Sequence, residues 1–230
     1  MRPAIKESGQ KPADQQEEYA TEEKEGEAVR IADPIAPWNK AMYHFNDKLY
    51  FWVLKPVAQG YSAVMPEDMR ISFSNFFSNL TTPIRFVASL LQFKVKDAGN
   101  ELIRCVYNST AGIGGLADVA KTDLGISRKE EDLGQTLGRY GIGQGFYIVW
   151  PFLGPSSLRD SVGTVGDWFL DPVTYVNPFF FDSLGIRTFD KVNTVSLHIG
   201  DYEDLKKSAI DPYVSLRDAY IQYRKKKVDE

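Results

Sequence analysis

The sequence predicts a mainly α-helical fold of short amphipathic helices with one β-hairpin. Three observations lead there. Apolar residues recur at spacings of three and four along most of the chain. Proline-led cap signals open several of these segments. Only one stretch, 139–150, has β-prone runs on both sides of a glycine-rich turn.

Residues 1–30 hold eight acids, five bases and almost nothing apolar. Such a segment cannot bury enough apolar surface to offset its ordering entropy, so 1–30 is expected to be a disordered tail or linker. The folded domain is then 31–230. Removing the tail's −3 from the total of −4 leaves that domain near −1.

The elements follow in order. Trp38, Met42, Phe45, Leu49 and Trp52 form one apolar stripe at spacings of 4, 3, 4 and 3. Pro37 opens that helix and Pro56 ends or kinks it. Thr82-Pro83 reads as an N-cap with proline at the first helical position, and Ile84, Val87, Ala88 and Leu91 supply its apolar face. Asp97 is a candidate cap for a helix reaching Tyr107 and stopping before Gly112. Cys105 lies in that helix beside Leu102, Ile103 and Val106 and reads as a small core residue. Ser156 or Ser157 caps a helix through Leu158, Val162, Val165 and Phe169. A long helix is expected from Ser183 to about Lys207. Asp211-Pro212 repeats the cap-plus-proline signal and opens a last helix ending in the basic run Arg224–Lys227.

The stretch 133–160, LGQTLGRYGIGQGFYIVWPFLGPSSLRD, sets backbone freedom beside apolar bulk. Seven of its residues from Gly134 to Gly154 are glycine or proline. Gly141, Gly143 and Gly145 are placed at the turn of the hairpin. The combination suits contact with something apolar better than bond-making chemistry.

Several function classes are disfavoured. A net charge of −4 argues against nucleic acid as the main partner. Two histidines and one cysteine without clustered spacing hold no zinc site and leave no internal disulfide. Gly112-Ile-Gly114-Gly115-Leu-Ala117 matches the dinucleotide fingerprint G-x-G-x-x-A only formally, because a helix precedes it and no strand–helix alternation follows. GPSSL around Ser156 is not a nucleophile elbow, and a capping serine explains it more simply. No catalytic residue and no cofactor is expected. No apolar run is long enough to cross a bilayer. The aromatic residues are more telling. Phe51 and Trp52 are adjacent, as are Phe179 and Phe180, so neither pair shares one direction on a helix. With Trp38 they are expected to face a bilayer or a partner. The basic run Arg224–Lys227 either contacts anionic headgroups or complements a helix C-terminus.

Six segments, in order, resemble the MlaA (VacJ) family of lipoproteins. They are DPIAPWNKAMYHFND (33–47), LKPVAQGY (54–61), SNFFSNLTTP (74–83), NSTAGIGGLADVA (108–120), the stretch 133–160 and DPYVSLRDAY (211–220). The resemblance implies a ring-shaped assembly of amphipathic helices embedded in the inner leaflet of the outer membrane of a Gram-negative bacterium, open to the periplasmic face. It implies a polar-lined channel that removes mislocalised phospholipid from the outer leaflet and maintains lipid asymmetry, without covalent chemistry. The implied partners are phospholipid, a trimeric porin and a soluble periplasmic carrier.

On that reading Asn46, Arg159, Asp160 and Asp167 are candidates for the polar lining, and Asn46 lies in the family's Phe-Asn element tied to channel control. Arg159 and Asp160 equally suit a local ion pair. Gly141, Gly143 and Gly145 become a hairpin gate at the channel mouth. Family members carry an acylated cysteine after a signal peptide. Here no cysteine precedes Cys105 and the first residues lack an apolar leader core, so 1–30 is expected to be the linker left after a removed anchor. Two rivals remain: a lipid-acting hydrolase with a serine site assembled in space, and a structural lipoprotein that scaffolds a porin.

Overall fold

The computed structural model describes residues 31–175 and 180–230, with the side chains of 180–182 left aside. The expected tail 1–30 lies outside the described residues, as does Phe179, and the side chain of Phe180 is likewise not described. Among the described residues, eleven α-helices and one hairpin follow in this order: α1 Ala36–Leu49, α2 Lys55–Val64, α3 Glu67–Leu80, α4 Thr82–Leu91, α5 Val95–Thr110, α6 Val119–Leu124, α7 Leu133–Arg139, β1 Tyr147–Trp150, β2 Gly154–Ser157, α8 Leu158–Leu170, α9 Phe180–Leu197, α10 Asp201–Ser208 and α11 Pro212–Asp229.

Helix starts follow the cap signals in part. Ser157 caps α8 by accepting from the Asp160 N–H at 3.1 Å, and Asp211 caps α11 by accepting from Tyr213 and Val214. Pro56 does not end the helical run, which continues to Val64. A π-helical turn, Tyr50–Leu54, widens the backbone just before Pro56, and the Lys55 N–H bonds the Tyr50 carbonyl five residues back. That widening accommodates a proline near the start of α2. Thr82 does not cap α4, which starts one residue earlier than expected; its hydroxyl accepts from Arg85 at 3.1 Å instead. Asp97 lies in the first turn of α5 rather than at its cap. The long helix expected over 183–207 is two helices, because Gly200 adopts φ of 110° between them.

The hairpin lies further along the chain than expected. Its strands are 147–150 and 154–157, paired antiparallel with Tyr147 opposite Ser157 and Trp150 opposite Gly154. Gly141, Gly143 and Gly145 fall in the loop before β1. The turn is Pro151-Phe152-Leu153, with Phe152 at a positive φ of 66°. β2 reads Gly-Pro-Ser-Ser, a poor strand sequence, so propensity gave no sign of it.

Two asparagines of α1 compensate for that weak partner. Asn39 donates to the Tyr147 carbonyl (2.9 Å) and accepts from the Val149 N–H (2.8 Å). Asn46 donates to the Trp150 carbonyl (2.9 Å) and accepts from the Phe152 N–H (2.8 Å). Seven residues apart, they lie two helical turns apart on one face and serve the open edge of β1 as a strand would. Asn46 also holds the strained turn.

Packing contacts close into a circuit. α1 packs on β1, β2 on α11, α11 on α7, α7 on α4, α4 on α3, α3 on α9, and α9 on α2, which the π-helical turn joins back to α1. The result is a ring of helices, as the resemblance implies.

The ring is polar inside and apolar outside. Buried polar and charged residues outnumber buried apolar ones among the described residues. On α5 the buried positions are Ala98, Glu101, Arg104 and Asn108, while Leu102, Ile103 and Val106 face outward. Cys105 is half-buried rather than core. On α4, Arg85, Ala88 and Ser89 are buried and Leu90 and Leu91 exposed. On α1, Asn39 and Tyr43 are buried, whereas Trp38 and Phe45 of the apolar stripe are exposed. Phe93, Phe152 and Phe169 extend this outward apolar surface. Exposed apolar side chains are thus found on most helices of the ring.

Candidate functional site

A polar cavity of about 530 Å³ opens among α3, α4, α5, the 118–130 segment and the end of α11. One wall is the face of α3 bearing Ser74, Asn75, Ser78 and Asn79, spaced so that all four share one side of the helix. Arg85, Arg104, Lys121, Arg128 and Lys129 also line the cavity. A second cavity of about 360 Å³ is lined by Thr81, Glu131, Asp132, Asp167 and Arg224 among others. Arg85, Arg128 and Glu130 line both, so the cavities adjoin there.

Buried ion pairs hold these walls. Arg85 Nε meets Glu101 Oε2 at 2.7 Å, with Glu101 fully buried. Burial pushes the Arg85 guanidinium below its ordinary value, against the pull of Glu101. Arg104 bonds Asp118 at 3.0 Å and also the Ile126 carbonyl. Arg128, at the junction, donates to Ser78 Oγ (2.7 Å) and Glu130 (3.1 Å).

Arg224 of α11 donates to both Asp132 of α7's cap (2.6 and 2.9 Å) and Asp160 of α8 (2.9 Å). Asp160 also accepts from Tyr220 at 2.7 Å and pairs with Arg159 at 2.9 Å. Burial alone would raise the Asp132 and Asp160 carboxyls, but the Arg224 bonds outweigh it and hold both below the usual carboxylate value. Among the described residues no cation is bonded to Asp167. Burial, opposed by the Leu133 N–H (3.1 Å) and aided by the charge of Asp132, pushes it up to about 7.

The structure therefore separates the four expected lining residues. Asp167 lines the second cavity. Asn46 lies on the wall of neither and holds the hairpin turn. Arg159 and Asp160 are buried in the ion-pair knot, not exposed on a cavity wall. Gly141 and Gly143 have open space around them, whereas a Cβ on Gly145 would lie 2.9 Å from Leu158 Cβ. Trp38 and Trp52 are exposed, and Phe51 is half-buried against Tyr202 with Lys206 over its ring at 5.0 Å. Ser157 caps α8, and Ser156 bonds Ser157 O and Ser161 Oγ, with neither histidine among their partners. The α3 wall was missed by sequence reasoning. Its signal was the repeated Ser-Asn pair in SNFFSN, which puts four small polar side chains on one helical face.

A family model for the MlaA lipoprotein matches residues 31–227. The chain belongs to the MlaA lipoprotein family. Within that family it is 33% identical over 195 residues to the intermembrane phospholipid transport system lipoprotein MlaA of Escherichia coli, covering 83% of this chain and 76% of that one. It is 28% identical over 209 residues to the protein of the same name in Haemophilus influenzae, covering 86% and 80%. An uncharacterized protein of Rickettsia conorii is 32% identical over 207 residues, covering 89% and 81%. A solved chain, from work on the structural basis for maintenance of bacterial outer membrane lipid asymmetry, superposes with a TM-score of 0.76 at 31% identity. The alignment covers 86% of this chain and 99% of that one, so the MlaA fold accounts for nearly all of the ring.

Proposed function

We propose that this chain is the outer-membrane component of an intermembrane phospholipid transport system, as its MlaA relatives are named. It takes mislocalised phospholipid from the outer leaflet and passes it through the polar cavity toward the periplasm, keeping the membrane asymmetric. The observation that carries this reading is the inverted ring. Among the described residues no helix is long and apolar enough to cross a membrane. The ring's exposed apolar side chains, Trp38, Trp52, Val106 and Phe169 among them, instead suit contact with the hydrocarbon of a single leaflet. The charged and hydroxylated interior offers a headgroup the contacts it would lose in bare hydrocarbon, while acyl chains stay in the bilayer.

The finer parts rest on the family resemblance: a trimeric porin beside the ring, a soluble carrier that receives the lipid, and movement of the loop around Gly141, Gly143 and Gly145 at the mouth. No bond-making step is needed.

The test is to narrow the cavity without touching its ion pairs. Ser74→Trp should raise the phospholipid accessible to added phospholipase on cells that lack their own relative, with helicity and membrane localisation unchanged. Normal surface phospholipid in cells bearing that folded variant would refute transport through this cavity.

A further inference from the structure

Most cations on the larger cavity's wall are spoken for. Arg85 pairs with Glu101, Arg104 with Asp118 and Glu101, Arg128 with Glu130, and Lys227 with Glu230. Lys121 and Lys129 pair with no carboxylate among the described residues, and both are exposed. Six basic residues line this cavity against Asp118, Glu130 and Glu230. Adding Glu101 behind the wall leaves an excess of two, the two lysines.

Their backbones are held by the buried network itself. The Lys129 N–H donates to Glu101 Oε1 at 3.1 Å, and the Lys121 N–H donates to Asp118 Oδ1 at 3.3 Å. Arg104 lies between those two acids. The acids thus position both residues while leaving their ammonium groups free. Each ammonium offers three donors and no acceptor. In the same cavity the Ser74, Asn75, Ser78 and Asn79 wall supplies hydroxyls and amides. The volume suits a small ligand or headgroup.

We infer that Lys121 and Lys129 form a phosphate-recognition site in this cavity that favours phospholipid headgroups of net negative charge over zwitterionic ones. The inference rests on the transport reading above. A phosphoglycerol headgroup brings one negative charge to two unpaired cations and hydroxyls to the Ser/Asn wall. A phosphoethanolamine headgroup brings the same phosphate together with an ammonium that the two lysines repel.

The test uses the purified full chain in detergent micelles with equal amounts of dioleoylphosphatidylglycerol and dioleoylphosphatidylethanolamine. Retained lipid is counted by mass spectrometry. The phosphatidylglycerol should be enriched about fivefold, the size expected from two solvent-exposed ion pairs. K121Q/K129Q should abolish the enrichment, and both sites are exposed enough to leave folding intact. K96Q/K207Q, the same charge change on exposed residues of α5 and α10 that line neither cavity, should keep it. Equal retention of both lipids by the unaltered chain would overturn the inference and leave transport standing; retention of neither would remove both. Enrichment that survives K121Q/K129Q, or is lost in K96Q/K207Q, would also overturn it. Inorganic phosphate supplies the last arm: displacement of phosphatidylglycerol by an equal concentration of it would make this a site for the free anion, not for a lipid.

Discussion

Gly163 meets Gly134 backbone to backbone where α8 crosses α7. A Cβ on Gly163 would lie 2.3 Å from the Gly134 nitrogen and 2.5 Å from its Cα. Neither backbone can retreat without moving Asp132 and Asp160, which share Arg224. Gly163→Ala should therefore destabilise the domain by about 3 kcal/mol, the upper part of the overpacking range. Gly185→Ala in α9, where nothing lies within 4 Å, should be neutral or stabilising by up to about 1 kcal/mol. Urea unfolding of the two variants side by side checks this, and equal effects would contradict it.

The asparagine pair on α1 gives a graded prediction. Asn39 is fully buried, so Asn39→Ala leaves the Tyr147 carbonyl and Val149 N–H unpaired in the interior. The loss should be about 2–4 kcal/mol. Asn46 is partly exposed, and water can replace its bonds, so Asn46→Ala should cost about 1 kcal/mol. Hydrogen exchange should speed at Val149 in the first variant and at Phe152 in the second.

Removing Arg224 should be among the costliest single changes. Arg224→Met leaves Asp132 without a cation and Asp160 with Arg159 alone, at a cost of about 3 kcal/mol, the lower end of the range for breaking a buried pair. Asp160→Lys should also prevent folding, because it puts a cation against Arg159 and Arg224. Soluble yield and circular dichroism report both. A well-folded Asp160→Lys protein would show that this knot is not structural.

Asp167 gives the pH dependence. Its folded value, about 7, lies above the ordinary carboxylate value, so the folded chain holds that proton more tightly than the unfolded one. The contribution is therefore greatest at low pH and declines as pH rises from about 4 to about 7. Asp132 and Asp160 act in the opposite sense, since their values are lowered: their contribution is present at neutral pH and lost as pH falls below the ordinary carboxylate value. Asp167→Asn should flatten the decline between pH 4 and pH 7 and add about 1–2 kcal/mol near pH 8, a figure reduced for solvent in the cavity. Thermal melts across that range are the measurement, and an unchanged slope would refute the assignment.

Much of the architecture was legible in the chain. Local signals are read where they are written: Asp211-Pro212 opens α11, Ser157 caps α8, and the apolar stripe of α1 marks a helix face. The ordered family segments carried the ring. The α3 helix was harder, because Ser, Asn and Phe have weak helical preference, and the Gly-Pro-Ser-Ser strand was invisible for the same kind of reason.

What the sequence by itself determined was therefore the helical class, the caps at Ser157 and Asp211, and the family. It could not say which face of each helix points inward. Periodicity reports that a helix has two unlike faces, but the sign of the burial depends on whether water or hydrocarbon lies outside. Tertiary structure alone placed Glu101, Arg104 and Asn108 inside and Leu102, Ile103 and Val106 outside. It alone brought Arg224 to Asp132 and Asp160 across 92 and 64 residues of chain. A charge pair between distant segments leaves no local pattern, because its energy depends on a distance that only the closed ring sets.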